Sequence, residues 1–149
     1  MASMTLSTTV AAPVADVWSV FADFRNAAGR IKGIKKIEIL TDGPIGVGTK
    51  FKETREMFKK EAVETMEVTA FEPNSLYTLE CMSCGGHIKF TFRFTPKGRG
   101  TQVDVESKCR AVTLFAKLMS PLTSLMMGPM MRKCLLQDIE DLKAVVEKK

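Results

Sequence analysis

The feature that most constrains the fold is a period-two alternation of apolar and polar residues along several segments. Its clearest examples are two apolar rows, at Ile88, Phe90, Phe92 and Phe94, and at Val103 and Val105. A strand that alternates in this way has one face on a core and one in water, as in an antiparallel sheet. The chain then ends in an apolar stripe with helical spacing, formed by Met131, Leu135, Ile139, Leu142 and Val146. These patterns predict a sheet closed by one amphipathic helix.

The order of the predicted elements defines the architecture. Seven strands are predicted, at Met4–Val10, Ile34–Leu40, Thr49–Met57, Glu61–Phe71, Leu76–Met82, His87–Thr95 and Thr101–Ala111. After the first strand, Pro13 starts a short helix that ends near Ala22, and residues 23–32 form a second short helix or an irregular connection. The last helix is expected to begin near Pro129. We therefore expect a single α+β domain over residues 1–149.

The composition is that of one globular domain. Its 149 residues, 45% hydrophobic and 26% charged, are enough to bury a core. No apolar run approaches the ~18 residues needed to span a bilayer, and the first residues lack the basic and apolar regions of a secretory signal. We therefore expect a cytoplasmic protein whose four cysteines are reduced thiols.

The net charge of +5 raises the question of a nucleic acid or membrane partner. The basic residues do not cluster strongly, and one Trp and one Tyr offer little surface on which bases could stack. The sequence therefore argues against nucleic acid binding. A transient contact with an anionic membrane surface stays open.

Five short motifs accompany this order of elements, at Ala12–Trp18, Gly46–Thr49, Phe71–Pro73, Gly100–Val103 and Leu142–Lys143 with Glu147. In their order and spacing the chain resembles the START / pollen-allergen (SRPBCC) superfamily, most closely its polyketide cyclase/dehydrase-type branch. The resemblance implies a helix-grip fold, in which a seven-stranded curved antiparallel sheet wraps around a long C-terminal helix, with two short helices after the first strand. It also implies a cavity, but no particular reaction, since such folds include lipid carriers, receptors, quinone-binding proteins and cyclases.

A methionine-rich segment precedes the final helix. Five of the ten methionines lie between Met119 and Met131. Methionine is flexible and polarizable, so such a wall adapts to irregular apolar shapes. Gly128 and Pro129 break the helical pattern where a hinge would be useful, which favours a movable lid over plain helix packing.

Charged residues on the third and fourth strands form the other candidate site. A hairpin turn centred on residues 59 and 60 would place Arg55 opposite Glu64, Glu53 opposite Met66, and Phe51 opposite Val68. All of these side chains would then share one face. Two interpretations stay open: the charges face inward and hold the polar end of a ligand, or a bulge turns them outward as a surface pair.

The Cys81-x-x-Cys84-x-x-His87 spacing resembles half of a zinc site. The sequence has no second CxxC and no other His, so we expect no metal and instead two thiols flanking a hairpin turn beside an exposed His. A regulatory Cys81–Cys84 disulfide is the alternative.

These observations favour a binding protein over an enzyme. The leading hypothesis is binding, and by extension transport, of a hydrophobic small molecule (a lipid, quinone or polyketide-like compound) by a monomer or weak homodimer without a cofactor. The predicted ligand-binding residues are Trp18, Phe51, Glu53, Arg55, Glu64, Met66, Phe90, Phe92, Val103, Val105, Met127, Met131 and Leu135. The first alternative is a cyclase or dehydratase that uses Glu53 or Glu64 as general base. The second is a ligand-dependent regulator of a protein partner.

Overall fold

The computed structural model describes residues 2–57, 60–83, 86–111 and 132–148. The strands are β1 (Ala2–Val10), β2 (Ile34–Ile39), β3 (Lys50–Met57), β4 (Lys60–Glu72), β5 (Leu76–Ser83), β6 (Gly86–Lys97) and β7 (Gly100–Ala111). Between β1 and β2 lie helix α1 (Val14–Phe21) and a 3₁₀ helix (Phe24–Gly29). Residues 132–147 form the described part of the C-terminal helix, α2. The predicted order of elements and the α+β helix-grip fold are confirmed, and residues 23–32 contain the second short helix.

The strands form one antiparallel sheet in the order β1-β7-β6-β5-β4-β3-β2. Consecutive strands from β2 to β7 are neighbours, and β1 lies against β7 at the other end of the order. The two edge strands, β1 and β2, are therefore the ones that the short helices connect. We call the face of the sheet that carries the buried Val68, Phe92 and Val105 the inner face.

Helix α1 begins after Pro13, whose φ of −62° suits the start of a helix. Its apolar spacing places Val17, Val20 and Phe21 in the core. The carboxylate of Asp16 lies in the first turn, where the helix dipole favours negative charge. The helix therefore packs on the inner face at one end of the sheet.

Helix α2 packs its predicted stripe into the same core. Leu135, Ile139, Leu142 and Val146 are all buried. Two carboxylates also tie this helix to the connections that follow β1 and the 3₁₀ helix. The Ala11 N–H donates to Glu147 Oε2 at 2.9 Å, and the Lys32 N–H donates to Asp141 Oδ2 at 3.0 Å. The predicted start near Pro129, the methionine-rich segment and the proposed lid lie outside the described residues.

The predicted register of β3 and β4 is wrong by two residues. Glu53 lies opposite Glu64, Phe51 opposite Met66, and Arg55 opposite Ala62. The strands pair Met57 with Lys60, so the hairpin is centred between residues 58 and 59, one residue earlier than predicted. Moving the centre by one residue shifts each partner by two, which leaves every side chain on its predicted face.

Candidate functional site

An aromatic cluster fills the inner face at the α1 end of the sheet. Its members are Trp18, Phe21, Phe24, Phe51, Phe71, Tyr77, Phe92 and Phe94, with ring centroids 4.8–5.8 Å apart in each contacting pair. Tyr77 is buried, and its hydroxyl donates to the carbonyl oxygen of Phe21 at 3.3 Å. Burial raises its pKa well above the usual range. The protein's own rings therefore occupy this end of the interior.

The middle of the inner face is less completely covered. Leu79 and Phe90 lie opposite each other on the central strands β5 and β6, and both are only half-buried although they pack against the core. On one side of them, Tyr77 and Phe92 are buried, and on the other side so are Cys81 and Ile88. Apolar surface therefore stays accessible in the middle of the inner face, between two buried rows.

A buried ionic cluster lies further along the inner face, toward the hairpin that joins β3 and β4. The Arg55 guanidinium donates through Nε and Nη2 to Glu53 Oε1, at 2.9 and 2.7 Å. It also forms a forked pair with Asp138 of α2, from Nη1 to Oδ1 at 3.0 Å and from Nη2 to Oδ2 at 2.7 Å. Glu53 is only 8% exposed. This contact supports the inward interpretation of the charges on β3.

The predicted Arg55–Glu64 pair is replaced by these contacts. In the observed register Arg55 lies opposite Ala62, while Glu64 lies opposite Glu53. The Cys81 thiol lies 3.9 Å from Glu64 Oε2, within range of a weak sulfur hydrogen bond. Glu64 therefore lies beside the ionic cluster and contacts Cys81 of β5, but it does not form the predicted pair with Arg55.

Burial dominates the electrostatics of this cluster. It raises the pKa of Glu53 and of Asp138 above their ordinary values, and the hydrogen bonds and charge of Arg55 only partly oppose the effect. Burial, reinforced by the charges of Glu64 and Glu53, raises the pKa of the Cys81 thiol to about 12. The cluster is therefore a place where negative charge is costly.

The structure brings some of the predicted ligand-binding residues to the accessible region and others to the packed end. Glu53, Arg55 and Glu64 belong to the ionic cluster and Phe90 to the accessible middle, while Met66 and Leu135 are buried in the core. Trp18, Phe51 and Phe92 belong to the aromatic cluster, and Val103 and Val105 are completely buried. Met127 and Met131 lie outside the described residues.

Sequence reasoning missed Leu79, Cys81 and Asp138. Leu79 and Cys81 continue the period-two row that begins at Tyr77, so alternation along β5 could have found them. Asp138 lies beside the buried Ile139 in α2, and no local pattern shows that it meets a residue 83 positions away.

His87 lies on the outer face, where its Nε2 is 2.7 Å from Glu80 Oε1. Cys84 lies outside the described residues. Within the ranges that the structure describes, no group of His, Cys, Asp or Glu is arranged to hold a metal ion. None of the helices described there is long and apolar enough to cross a membrane.

Two open depressions are lined by described residues. One, of about 360 Å³, lies on α2 around Leu136, and the other, of about 560 Å³, lies on the outer face around Val63 and His87. Both are on the outside of the molecule, so neither is the predicted cavity.

A family model described as polyketide cyclase / dehydrase and lipid transport matches residues 1–147. No curated protein matches the chain by sequence. Among solved structures, an aromatase/cyclase from Streptomyces sp. R1128 is similar with a TM-score of 0.80 and 19% identity, covering 99% of this chain and 94% of that one. Ara h 8.0201 has a TM-score of 0.78 and 17% identity, with 99% of each chain covered. TTHA0849 from Thermus thermophilus has a TM-score of 0.77 and 16% identity, with 97% of each covered. At these identities the likeness shows the fold alone.

Proposed function

The chain belongs to the polyketide cyclase / dehydrase and lipid transport family, and we propose that it binds a hydrophobic small molecule between the inner face of the sheet and α2. The predicted resemblance is thereby confirmed, and the family implies a hydrophobic ligand-binding pocket. The ligand class (lipid, quinone or polyketide-like) and a transport role are part of the proposal.

The observation that carries the proposal is the accessible apolar surface of Leu79 and Phe90 in the middle of the sheet. A domain of this kind gains stability by burying such residues, at about 25 cal/mol per Å². Because Leu79 and Phe90 are only half-buried between buried rows, the folded protein lacks part of this stabilisation. A ligand that covers them would recover it, and this burial would supply most of the binding free energy.

The test uses a neutral fluorescent dye, N-phenyl-1-naphthylamine, whose emission rises in an apolar site. We expect saturable binding to the parent protein. Leu79→Trp fills the space and should weaken binding at least about tenfold, the scale of losing about 1.4 kcal/mol. Val63→Trp is the matched control, because it adds the same side chain to the outer face, where Val63 is 57% exposed. Equal dye binding by both variants would place the dye elsewhere and contradict the proposal.

A second candidate function, a cyclase or dehydratase, rests on Glu53. A carboxyl group on a side chain that is 11% exposed, with a pKa that burial raises, is suited to act as a general base. Once a substrate is known, Glu53→Gln should lower kcat while leaving KM nearly unchanged, because the amide keeps an acceptor oxygen for Arg55. Unchanged kcat in both Glu53→Gln and Glu64→Gln would exclude these carboxylates as the base.

A further inference from the structure

The two edges of the sheet are protected to different degrees. A free strand edge presents unpaired N–H and C=O groups, and proteins usually blunt it with charge, proline, a bulge or a short strand. β2 is only six residues long and carries Lys35, Lys36 and Glu38. Its register with β3 also shifts between Ile34 and Lys36. The β2 edge is therefore a poor template for another strand.

The β1 edge lacks these features. Its nine residues, Ala2–Val10, contain no charged residue, no proline and no glycine. β1 pairs with β7 along its whole length without a register shift, from Ala2 opposite Cys109 to Val10 opposite Thr101. It is therefore a long, regular and uncharged edge, which is the kind that most readily accepts another strand.

The backbone along the outer side of β1 is available for pairing. In the sheet formed by the residues that the structure describes, β7 is the one neighbour of β1. Among these residues, the one backbone hydrogen bond to β1 beyond the β7 ladder joins the Ala12 N–H to the Val10 carbonyl oxygen at 2.9 Å. Alternate residues of an antiparallel strand turn their N–H and C=O groups away from the paired neighbour. β1 therefore offers a row of backbone donors and acceptors to a strand that arrives from outside.

The side chains of β1 suit a copy of the same strand. Leu6 lies opposite Val105 and both are buried, so the even-numbered residues of β1 face the core. The outer face carries a row of exposed, small hydroxyl residues, Ser3, Thr5, Ser7 and Thr9. Hydroxyl pairs across antiparallel strands are favourable, and a second β1 would bring no like charge to face another. The neutral strand is thus self-compatible in a chain that carries +5 overall.

We propose that the protein forms a two-fold symmetric dimer, in which β1 pairs antiparallel with β1 of a second copy and Leu6 lies at the centre. In this register all nine residues overlap, Ser3 faces Thr9 of the second copy, and the two hydroxyl rows meet on one face. Such a contact is isologous, so it uses both β1 edges and association stops at two copies. The charged β2 edges at the ends of the joined sheet oppose further growth.

Sedimentation velocity of the parent protein tests the dimer. At about 0.1 M salt the Debye length is about 10 Å, so facing charges in the variants below still interact. We expect the sedimentation coefficient of the parent to rise with concentration from that of a monomer to that of a dimer and to stop there. A parent that stays monomeric up to about 1 mM overturns the proposal, because a standard association free energy of only about −4 kcal/mol would already be detected. The β1 edge would then be left for an extended segment of another protein.

Paired charge variants test the strand and its register. Ser3→Lys with Thr9→Lys places like charges on both facing pairs of the proposed contact, and Ser3→Glu with Thr9→Glu does the same with the opposite sign. Each double variant alone should dimerise at least about tenfold more weakly than the parent. An equimolar mixture of the two should dimerise within about threefold of the parent, because every facing pair then has opposite charges.

Folding is checked by circular dichroism, and the substituted positions are exposed. Thr5→Lys, which faces Ser7 of the second copy in the proposed register, repeats the test if a double variant fails to fold. Thr65→Lys with Thr95→Lys is the matched control, because it adds the same two charges at exposed positions on the outer faces of β4 and β6. The control should dimerise like the parent.

The outcomes decide between this contact and another. Dimerisation that both charged variants leave unchanged, or that the control weakens as much as they do, places the contact elsewhere and overturns the proposal. A mixture that dimerises no better than either variant alone overturns the antiparallel register and with it the proposed pairing.

Discussion

Arg55 illustrates how a buried charge is retained in an apolar interior. Its exposed fraction is 19%, and the side chains of Glu53 and Asp138 are 11% and 16% exposed. Removing such groups from water is costly, and their mutual attraction offsets that cost only because the geometry is good. The trio joins β3 to α2, so it stabilises the placement of the helix as well as its own charges.

Arg55→Gln should therefore destabilise the protein by about 3 kcal/mol near pH 8, because two buried carboxylates lose their partner. The loss should shrink toward pH 5. Burial already raises the pKa of Glu53 and of Asp138, and removing Arg55 raises both further, so the folded variant takes up protons that the unfolded chain does not. Such groups lower stability as the pH rises above their ordinary values of 4.5 and 3.8.

Urea unfolding of parent and variant at the two pH values measures this difference. Lys35→Gln is the control, because the Lys35–Glu56 pair at 3.0 Å is exposed and its loss should leave the unfolding midpoint nearly unchanged. If the loss in the free energy of unfolding of Arg55→Gln grows toward pH 5, the buried carboxylates are not the cause of the destabilisation.

Cys81 should be unreactive in the folded protein. A thiol with a pKa of about 12 has about one thiolate in ten thousand at pH 8, and the side chain is also buried. Peptide-resolved mass spectrometry after iodoacetamide treatment should show Cys81 alkylated only once denaturant is added. Rapid native alkylation at this position would mean that the Cys81 sulfur is exposed and that its pKa is not raised.

At the scale of elements, close backbone packing fixes the junction of β1, α1 and β7. A Cβ atom on Gly100 would lie 2.7 Å from the carbonyl oxygen of Val10. The next residue, Thr101, is completely buried, and its hydroxyl donates to the Ala12 carbonyl at 2.9 Å. Glycine is required at residue 100 for space, since β1 approaches β7 too closely for a side chain there.

Gly100→Ala should cost about 1–3 kcal/mol, because the added methyl group must push against β1 backbone rather than against a flexible side chain. Gly46→Ala serves as the control, since a Cβ there meets nothing within 4 Å, and its effect should stay within about 0.5 kcal/mol. Thermal unfolding of the two variants measures both effects. Equal melting temperatures would contradict the close approach.

At the scale of the whole molecule, the interior is divided into a filled end and an accessible middle. Aromatic rings around Tyr77 occupy the α1 end, whereas Leu79 and Phe90 keep accessible surface in the middle. The filled end holds the sheet and helices together without a ligand. A ligand in the middle would then add stability to a fold that already exists.

A ligand at about 100 times its Kd should stabilise the folded state by about 2.7 kcal/mol. For a chain of this length that corresponds to a rise in Tm of about 5–10 °C. Differential scanning fluorimetry with decanol should show this rise for the parent and for Val63→Trp, and little or none for Leu79→Trp. A rise that survives in Leu79→Trp would mean that decanol binds away from the inner face.

Local periodicity determined a large part of this protein. Alternation along β6 and β7 and the stripe of α2 correctly assigned which side chains face the core, because these patterns depend only on the geometry of a strand or a helix. The same parity kept Glu53 and Arg55 on the face of Phe51 even though the register was wrong, since an error of two residues preserves the face. The sequence left open whether these charges point inward.

The tertiary structure decided which charged residues are in contact and which apolar surface stays accessible. A one-residue change in the centre of the β3–β4 hairpin exchanged Arg55 for Glu53 opposite Glu64, and no propensity specifies that centre. The Arg55–Asp138 contact joins residues 83 positions apart, so it exists only once α2 docks on the sheet. The accessible surface of Leu79 has the same origin, because it depends on how closely α2 approaches the sheet. The periodicity of each element is the same whether the interior between them is filled or hollow.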